Sequence, residues 1–472
     1  MRVRRMRTLS CMATGARTID VTTLIEQRRF DGFYYGVIAL SWLITAFDGL
    51  DGLMIGFTLP YMHDEFGLTT AMQGVIGSAG NFGTAVGGFL SPLLADRIGR
   101  RPTVIATALV FGVLTVATAL AGSYEALVAM RFANGLALGG LLPLAWALNI
   151  EFVPKRMRAT IVTIIMVGYS VGSALAGPLT NAIAPRHGWQ GVYLAGGLGT
   201  LVCAAALWIW LPESIRFLVL SGRRPDAVAR TLRRLDPNCD ATAEDRFVLS
   251  DEVKTTRKVP IAELFAGPLR FVTPLLWLGF FMSSLGVFFT STFGPTVLER
   301  IGFPRPTAAL VKSSVSLVGA AAGLLLMRFT DRKGPIALAA YPAAAVPVLL
   351  VVGYGLFSGD AFLAMVLLGV GLMMGAHFGV QSIAGIYYPS AVRATGGGFA
   401  SGVAKFGAVL GPLVGAAVLS SGLPVVRTYA LLAICPAALF FCALGIAAVL
   451  RAPRAARAAT GLSTASRAAR SG

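Results

Sequence analysis

Asp48 and Asp51 stand three residues apart inside an apolar stretch. In a helix that spacing puts both carboxylates on one face. A charged side chain at bilayer depth costs roughly 2.5–3.5 kcal/mol on insertion scales, and two neighbouring carboxylates cannot both ionise cheaply. The pair therefore suits proton carriage, the alternative being two structural carboxylates salt-bridged to other helices. Arg131 lies in another apolar run, where it either pairs inward with Asp48 or Asp51 or snorkels to the surface. Glu151 closes that same run and either pairs with nearby bases or relays protons. Lys405, flanked by Gly402 and Gly407, needs an anion as partner, either a substrate carboxylate or one of the aspartates. His377, of ordinary pKa near about 6.5, has Gln381 one turn away on the same face. The two are expected to touch substrate, although a lone histidine can equally be a satisfied hydrogen-bonding residue. Lys312 reads as a snorkelling lysine near the outer end of its run.

These residues need a scaffold, and the composition restricts it. The chain has 472 residues, 56% hydrophobic and only 13% charged, with a mean hydropathy of +0.73. Soluble domains carry roughly 25% charged residues, so this chain needs lipid as solvent, and backbone in lipid must be paired internally. The apolar runs are long and do not alternate, which selects helices over a barrel. Twelve runs are long enough, at about 33–59, 70–95, 102–121, 125–150, 159–184, 189–211, 269–293, 307–328, 335–357, 361–387, 394–420 and 426–450. The expected architecture is an all-α membrane protein of twelve transmembrane helices. It comprises an N-terminal arm (1–32), a six-helix bundle (33–211), a linker (212–268), a second six-helix bundle (269–450) and a disordered Ala/Arg/Ser-rich tail (451–472). Val228 to Leu235 is expected to form a short amphipathic helix in the linker.

A net charge of +18 could suggest a nucleic-acid partner. The basic residues fall instead in alternate loops. Arg97, Arg100 and Arg101, then Lys155, Arg156 and Arg158, the linker, and Arg328, Arg332, Lys333 and Arg393 alternate with loops holding only Arg186, Arg300, Arg305 and Arg427. That is the positive-inside pattern, and it puts both termini in the cytoplasm. Met1 to Arg17 is Arg-rich without an apolar core, so it reads as a mobile arm rather than a signal peptide, with Met6 and Met12 as alternative starts. The five cysteines (Cys11, Cys203, Cys239, Cys435 and Cys442) form no CxxC pair and suggest neither disulfides nor a metal site.

The two bundles are related by a repeat. Asp96-Arg97-Ile98-Gly99 recurs as Asp331-Arg332-Lys333-Gly334, Pro154 and Arg158-Ala159-Thr160 as Pro389 and Arg393-Ala394-Thr395, Pro60 as Pro295, and Gly172 as Gly407, always 235 residues on. A shared offset marks parallel repeats with a substrate site near the midplane between them. Asp96, Arg97, Arg100 and Arg101 surround a turn that Gly99 allows to bend. The Asp96 carboxylate can face a helix N-terminus and an arginine of a neighbouring helix, a breakable latch with Asp331 and Arg332 as its weaker copy. Arg158 and Arg393 belong to the same conformational set.

The segment from Gly87 to Arg101, the run Arg131-x-x-x-Gly135-x-x-x-Gly139-Gly140 with Pro143, Glu151, Pro154 and Arg158, and Pro212-Glu213-Ser214-Ile215-Arg216-Phe217-Leu218 resemble signatures of the major facilitator superfamily. Within it, Ile19-Asp20-Val21, Asp48-Gly49-Leu50-Asp51 and Tyr388-Pro389 to Gly396 are similar to the aromatic acid:proton symporters. This chain differs from that family's usual residues at Leu50, His377, Gln381 and Lys405. The resemblance implies the major facilitator fold and proton-coupled uptake of a benzoate- or hydroxybenzoate-type acid by alternating access. Asp48, Asp51, Arg131 and Glu151 would couple protons, and Lys405, His377 and Gln381 would bind substrate. It implies a bacterial inner-membrane protein, monomeric, with a small organic acid and the lipid bilayer as partners. No cofactor is expected beyond the proton as coupling ion. Rival readings are a carrier of another organic acid, sugar or metabolite, a drug-type exporter, and a membrane sensor. No nucleophile triad, metal cluster or phosphate-cradling loop points to an enzyme or an ATP-driven pump.

Overall fold

A computed structural model describes residues 17–27, 32–222, 225–235, 239–250, 261–333, 335–388 and 392–459. The described chain is almost wholly helical: α1 (Val21–Gln27), α2 (Gly32–Phe66), α3 (Thr70–Ile98), α4 (Arg100–Thr118), α5 (Tyr124–Leu138), α6 (Leu141–Phe152), α7 (Arg158–Trp210), α8 (Ile215–Ser221), α9 (Pro225–Leu235), α10 (Leu269–Ile301), α11 (Arg305–Lys333), α12 (Pro335–Gly353), α13 (Gly359–Tyr387), α14 (Arg393–Leu419), α15 (Arg427–Leu432) and α16 (Ile434–Ala459). Among the described residues, nine helices are long and apolar enough to cross a membrane. One of them, α7, is two rods joined where Gly188 adopts φ 65°, a backbone conformation that costs glycine nothing. The glycine-rich α3 falls outside the nine because its composition is less apolar. It uses that composition to pack its backbone closely on α5 and α14.

The repeat is also a packing repeat. A Cβ at Gly172 would overlap the Ala46 carbonyl, and one at Gly407 would overlap the Phe281 carbonyl, so the same close approach is made in each half. Arg158 Nε donates to the Val153 carbonyl at 3.4 Å and Arg393 Nε to the Tyr388 carbonyl at 3.3 Å, again the same bond in both halves. Each half has its own apolar core, around Phe111, Leu144 and Phe152 in the first and Phe280, Ala376 and Leu439 in the second.

The loops rich in Arg and Lys mark one end of the bundle, the basic end; the Gly67 and Gly302 turns mark the far end. The halves are closed on each other toward the far end. Ser78 and Asn81 donate to the carbonyls of Val409 (2.7 Å) and Ala408 (2.8 Å), Gly177 N–H donates to Ser313 Oγ (3.1 Å), and Asn181 to the Pro306 carbonyl (3.0 Å).

At the basic end the arm and linker are joined. Strand β1 (Thr18–Asp20) runs parallel to β2 (Arg246–Val248). Asp20 accepts from the N–H of Ser250 at 3.2 Å, and Glu26 accepts from the N–H of Lys155 at 3.1 Å. Residues 18–27 are thus docked, while residues 1–16 lie outside the described residues. In the linker, α9 starts at Pro225, three residues before the expected Val228. At the other terminus α16 continues to Ala459, past Arg451 where the sequence places the start of the tail.

Candidate functional site

Asp51 is 1% exposed and lies at the centre of the first half. Arg131 Nη1 reaches its two oxygens at 3.3 and 3.2 Å, and Asn134 Nδ2 donates to Oδ1 at 3.3 Å. Arg131 and Asn134 are three apart on α5 and so share a face. Asn134 also donates to Thr115 Oγ1 of α4 at 3.2 Å. Of the two aspartates offered by the sequence, Arg131 takes Asp51, and it does so inside the bundle rather than snorkelling. Arg131 Nε keeps no hydrogen-bond partner among the described residues.

Asp48, one turn toward the basic end, is also buried. Its carboxylate feels two charges, the neighbouring Asp51 and Lys405 of the other half. The Lys405 ammonium crosses from α14 to donate to the Thr84 carbonyl of α3 at 3.2 Å. It fits there because Gly88 has no side chain: a Cβ at that position would lie 2.9 Å from Nζ. Two carboxylates and two cations, from two helices of one half and one of the other, thus share one cross-section of the protein.

His377 and Gln381 do not join this group. His377 Nδ1 is 2.8 Å from Ser283 Oγ of α10, within the second half, and Gln381 is exposed one turn further along α13. Ser283 is the counterpart, 235 residues on, of Asp48. The repeat has kept a polar residue at this level of both halves and only one carboxylate.

The latch at the basic end is built differently from the sequence expectation. The carboxylate at the start of α4 is Glu213, not Asp96. Glu213 Oε1 accepts from the N–H groups of Arg100 and Arg101 at 3.0 Å each and of Ser214 at 2.8 Å, where the helix dipole favours negative charge. Asp96 occupies the last turn of α3, upstream of the Gly99 turn (φ 106°), and is exposed. That turn brings the α4 amides to the segment after α7 instead. Glu151 pairs with Arg100 and accepts from Ser214 Oγ, so it stands with the latch and apart from Asp48 and Asp51. Arg101 Nη2 donates to the Trp208 carbonyl at 2.6 Å, and Arg97 is exposed. A cleft of about 1250 Å³ beside them is lined by Arg97, Arg101, Trp208 and Arg230, all of the first half and linker, and so lies outside the space between the halves. The side chains of Asp331 and Arg332 lie outside the described residues.

Several residues of the site carry no signal in the sequence. Asn134 is one of many polar residues in apolar runs. Arg305, read only as a sparse outer base, joins the halves at the far end through Asp64 (2.8 Å) and the face of Tyr61 (4.8 Å) while Glu299 of its own half holds it at 2.8 Å, and Arg300 donates to Thr70 Oγ1 at 3.0 Å. Lys312 corrects an expectation outright. It does not snorkel, because its face of α11 packs inward; it is 4% exposed, with its stem along Gly294 of α10.

The sequence pattern described as Major Facilitator Superfamily matches residues 41–412. The chain belongs to the major facilitator superfamily. A gallate transporter of Pseudomonas putida is 35% identical over 418 residues, 88% of this chain and 92% of that protein. The 4-hydroxybenzoate transporter PcaK of Pseudomonas putida is 32% identical over 407 residues, 86% and 91% of the two chains. Among solved structures, a bacterial homolog of the human lysosomal transporter Spinster superposes with a TM-score of 0.69 at 17% identity, over 90% of this chain and 98% of the other, a likeness of fold. This major facilitator is thus a multi-pass membrane transporter and not an enzyme.

Proposed function

We propose that this major facilitator imports a small aromatic carboxylate together with protons across the bacterial inner membrane, as a monomer. Its relatives are named for gallate and 4-hydroxybenzoate, both aromatic acids. The observation that carries the reading is the contact of Lys405 with the opposite half, beside Asp48 and the Asp51–Arg131 pair. An ammonium shared between two rocking halves can exchange its protein partner for a substrate carboxylate. Asp48, which has no arginine partner among the described residues, is then the group that takes and releases a proton. Asp51, held by Arg131, keeps the electrostatics of the site fixed.

Counted as α2, α3, α4, α5 with α6, the two rods of α7, α10, α11, α12, α13, α14, and α15 with α16, the rods make twelve crossings. An even number returns both termini to one side, and the basic loops assign that side to the cytoplasm. The far end, closed by the contacts between the halves, is then external. The Arg100–Glu151–Glu213 network lies in the first half alone, so it can stay made while the halves rock. The test is uptake of labelled 4-hydroxybenzoate and gallate by the purified protein in liposomes, with and without an acid-outside gradient. Gradient-stimulated uptake supports the reading. Equal uptake in both conditions removes proton coupling, and no uptake of either acid removes the substrate class.

A further inference from the structure

Lys312 is a buried cation that the transport site described above does not use. Among the described residues it makes no hydrogen bond or ion pair. It lies seven residues into α11 from Arg305, about 10 Å along the axis, which is the far-end side of the Asp48–Lys405 cross-section. Its position is on the closed interface between the halves. The adjacent Ala309 and Ser313 press on Gly177 of α7. The repeat gives the same answer, for the counterpart of Lys312, 235 residues earlier, is Gly77. A Cβ at Gly77 would lie 3.0 Å from Thr292 and 3.2 Å from Pro412, both of the opposite half. Where the first half closes with a bare glycine, the second half inserts an ammonium.

The surroundings of that ammonium suit an anion. Its stem runs along Gly294, where the missing side chain leaves it room. Ser316, one turn further in on the same face of α11, has a buried hydroxyl without a hydrogen-bond partner among the described residues. Buried hydroxyls are rarely left unpaired, and a buried ammonium needs a counter-charge. No described carboxylate bonds to Lys312, so an anion that binds there would supply the counter-charge. We propose that Lys312 is a second carboxylate-binding residue, which captures the anionic substrate at the external gate before it reaches Asp48 and Lys405. The Ser316 hydroxyl lines the same station. Closure of the gate over Lys312 is then favoured when an anion accompanies it, which ties occlusion to the presence of cargo. The proposal rests on the reading that the cargo is a carboxylate.

The test compares wild type, Lys312→Met and Lys312→Arg, as purified full-length protein, in thermal unfolding and in liposome uptake. Lys312→Met removes an uncompensated buried charge, so the free protein is expected to unfold at a higher temperature, which shows that it folds. It is also expected to lose most of the stabilisation by 4-hydroxybenzoate and to raise the uptake KM at least about thirtyfold, the low end for removing one partner of a buried charge pair. Lys312→Arg retains both, and 4-hydroxybenzamide, which has no carboxylate, distinguishes none of the three. A Lys312→Met protein with wild-type stabilisation and wild-type KM overturns the proposal. If wild type handles no aromatic acid, the cargo reading fails, and acetate and inorganic phosphate become the probes. Stabilisation of wild type but not of Lys312→Met by either still supports an anion station, whereas an equal response, or none, overturns it.

Discussion

Gly56 of α2 packs against the main-chain carbonyl of Ser291 in α10, and Ser291 is its own counterpart 235 residues on. The two halves therefore meet on their pseudo-twofold axis, at a point where one partner has no side chain. A Cβ at Gly56 would overlap that carbonyl. Gly56→Val should hold the halves apart at the far end while leaving each bundle's core intact. The expected outcome is uptake reduced to a few per cent of wild type, roughly the loss for a misfit at a closing interface. Cysteines placed at the far gate should also gain access to impermeant thiol reagents added outside.

Asp51 and Arg131 form a pair inside the first bundle, with side chains 1% and 8% exposed. Breaking such a pair on one side leaves an uncompensated buried charge and destabilises by about 3–5 kcal/mol. Arg131→Met should therefore lower the unfolding temperature substantially and abolish uptake. Adding Asp51→Asn should restore most of the stability, because it removes the orphaned charge, without restoring transport. Thermal unfolding and uptake on the same four proteins separate the structural from the functional share.

The carboxylate at the start of α4 discriminates between two accounts of the basic-end latch. Glu213 holds two free N–H groups of that helix, whereas Asp96 is exposed. Loss of a helix cap costs about 0.5–2 kcal/mol. Glu213→Ala should destabilise by about that amount, and Asp96→Ala by well under half of it. A reversed order would return the capping role to Asp96.

Much of this was legible before the structure. Hydropathy gave the rods, and the 235-residue offset paired the halves so closely that Gly172 and Gly407 make the same contact. Asp48, Asp51, Arg131 and Lys405 stood out because charge in an apolar run is expensive. Their partners did not stand out. Which aspartate Arg131 takes depends on the rotation of α5 against α2, and two residues on one helical face cannot be told apart by spacing. His377 looked like part of the same site, but helix rotation turns it to Ser283. Glu213 was visible only as part of a motif, since the turn at Gly99 decides which carboxylate meets α4. Lys312 was misread for a related reason: distance from a helix end says how far a lysine would have to reach, and not which face packs inward.

Gly88 offers a way to move the Lys405 ammonium without removing it. Nζ rests where a side chain at residue 88 would stand, 2.9 Å from that Cβ, and donates to the Thr84 carbonyl one turn away on the same helix. Gly88→Ala should displace the ammonium from Thr84 and from the field of Asp48, and so impair uptake in the same manner as Lys405→Met. If both changes act through one contact, their effects cannot add. The double variant should be no worse than Lys405→Met alone, with a coupling in the range of about 0.5–3 kcal/mol seen for touching residues. Additive losses in uptake KM across the four proteins would mean that Gly88 matters for the packing of α3 on α5. Lys405 would then work elsewhere in the cycle than at Thr84.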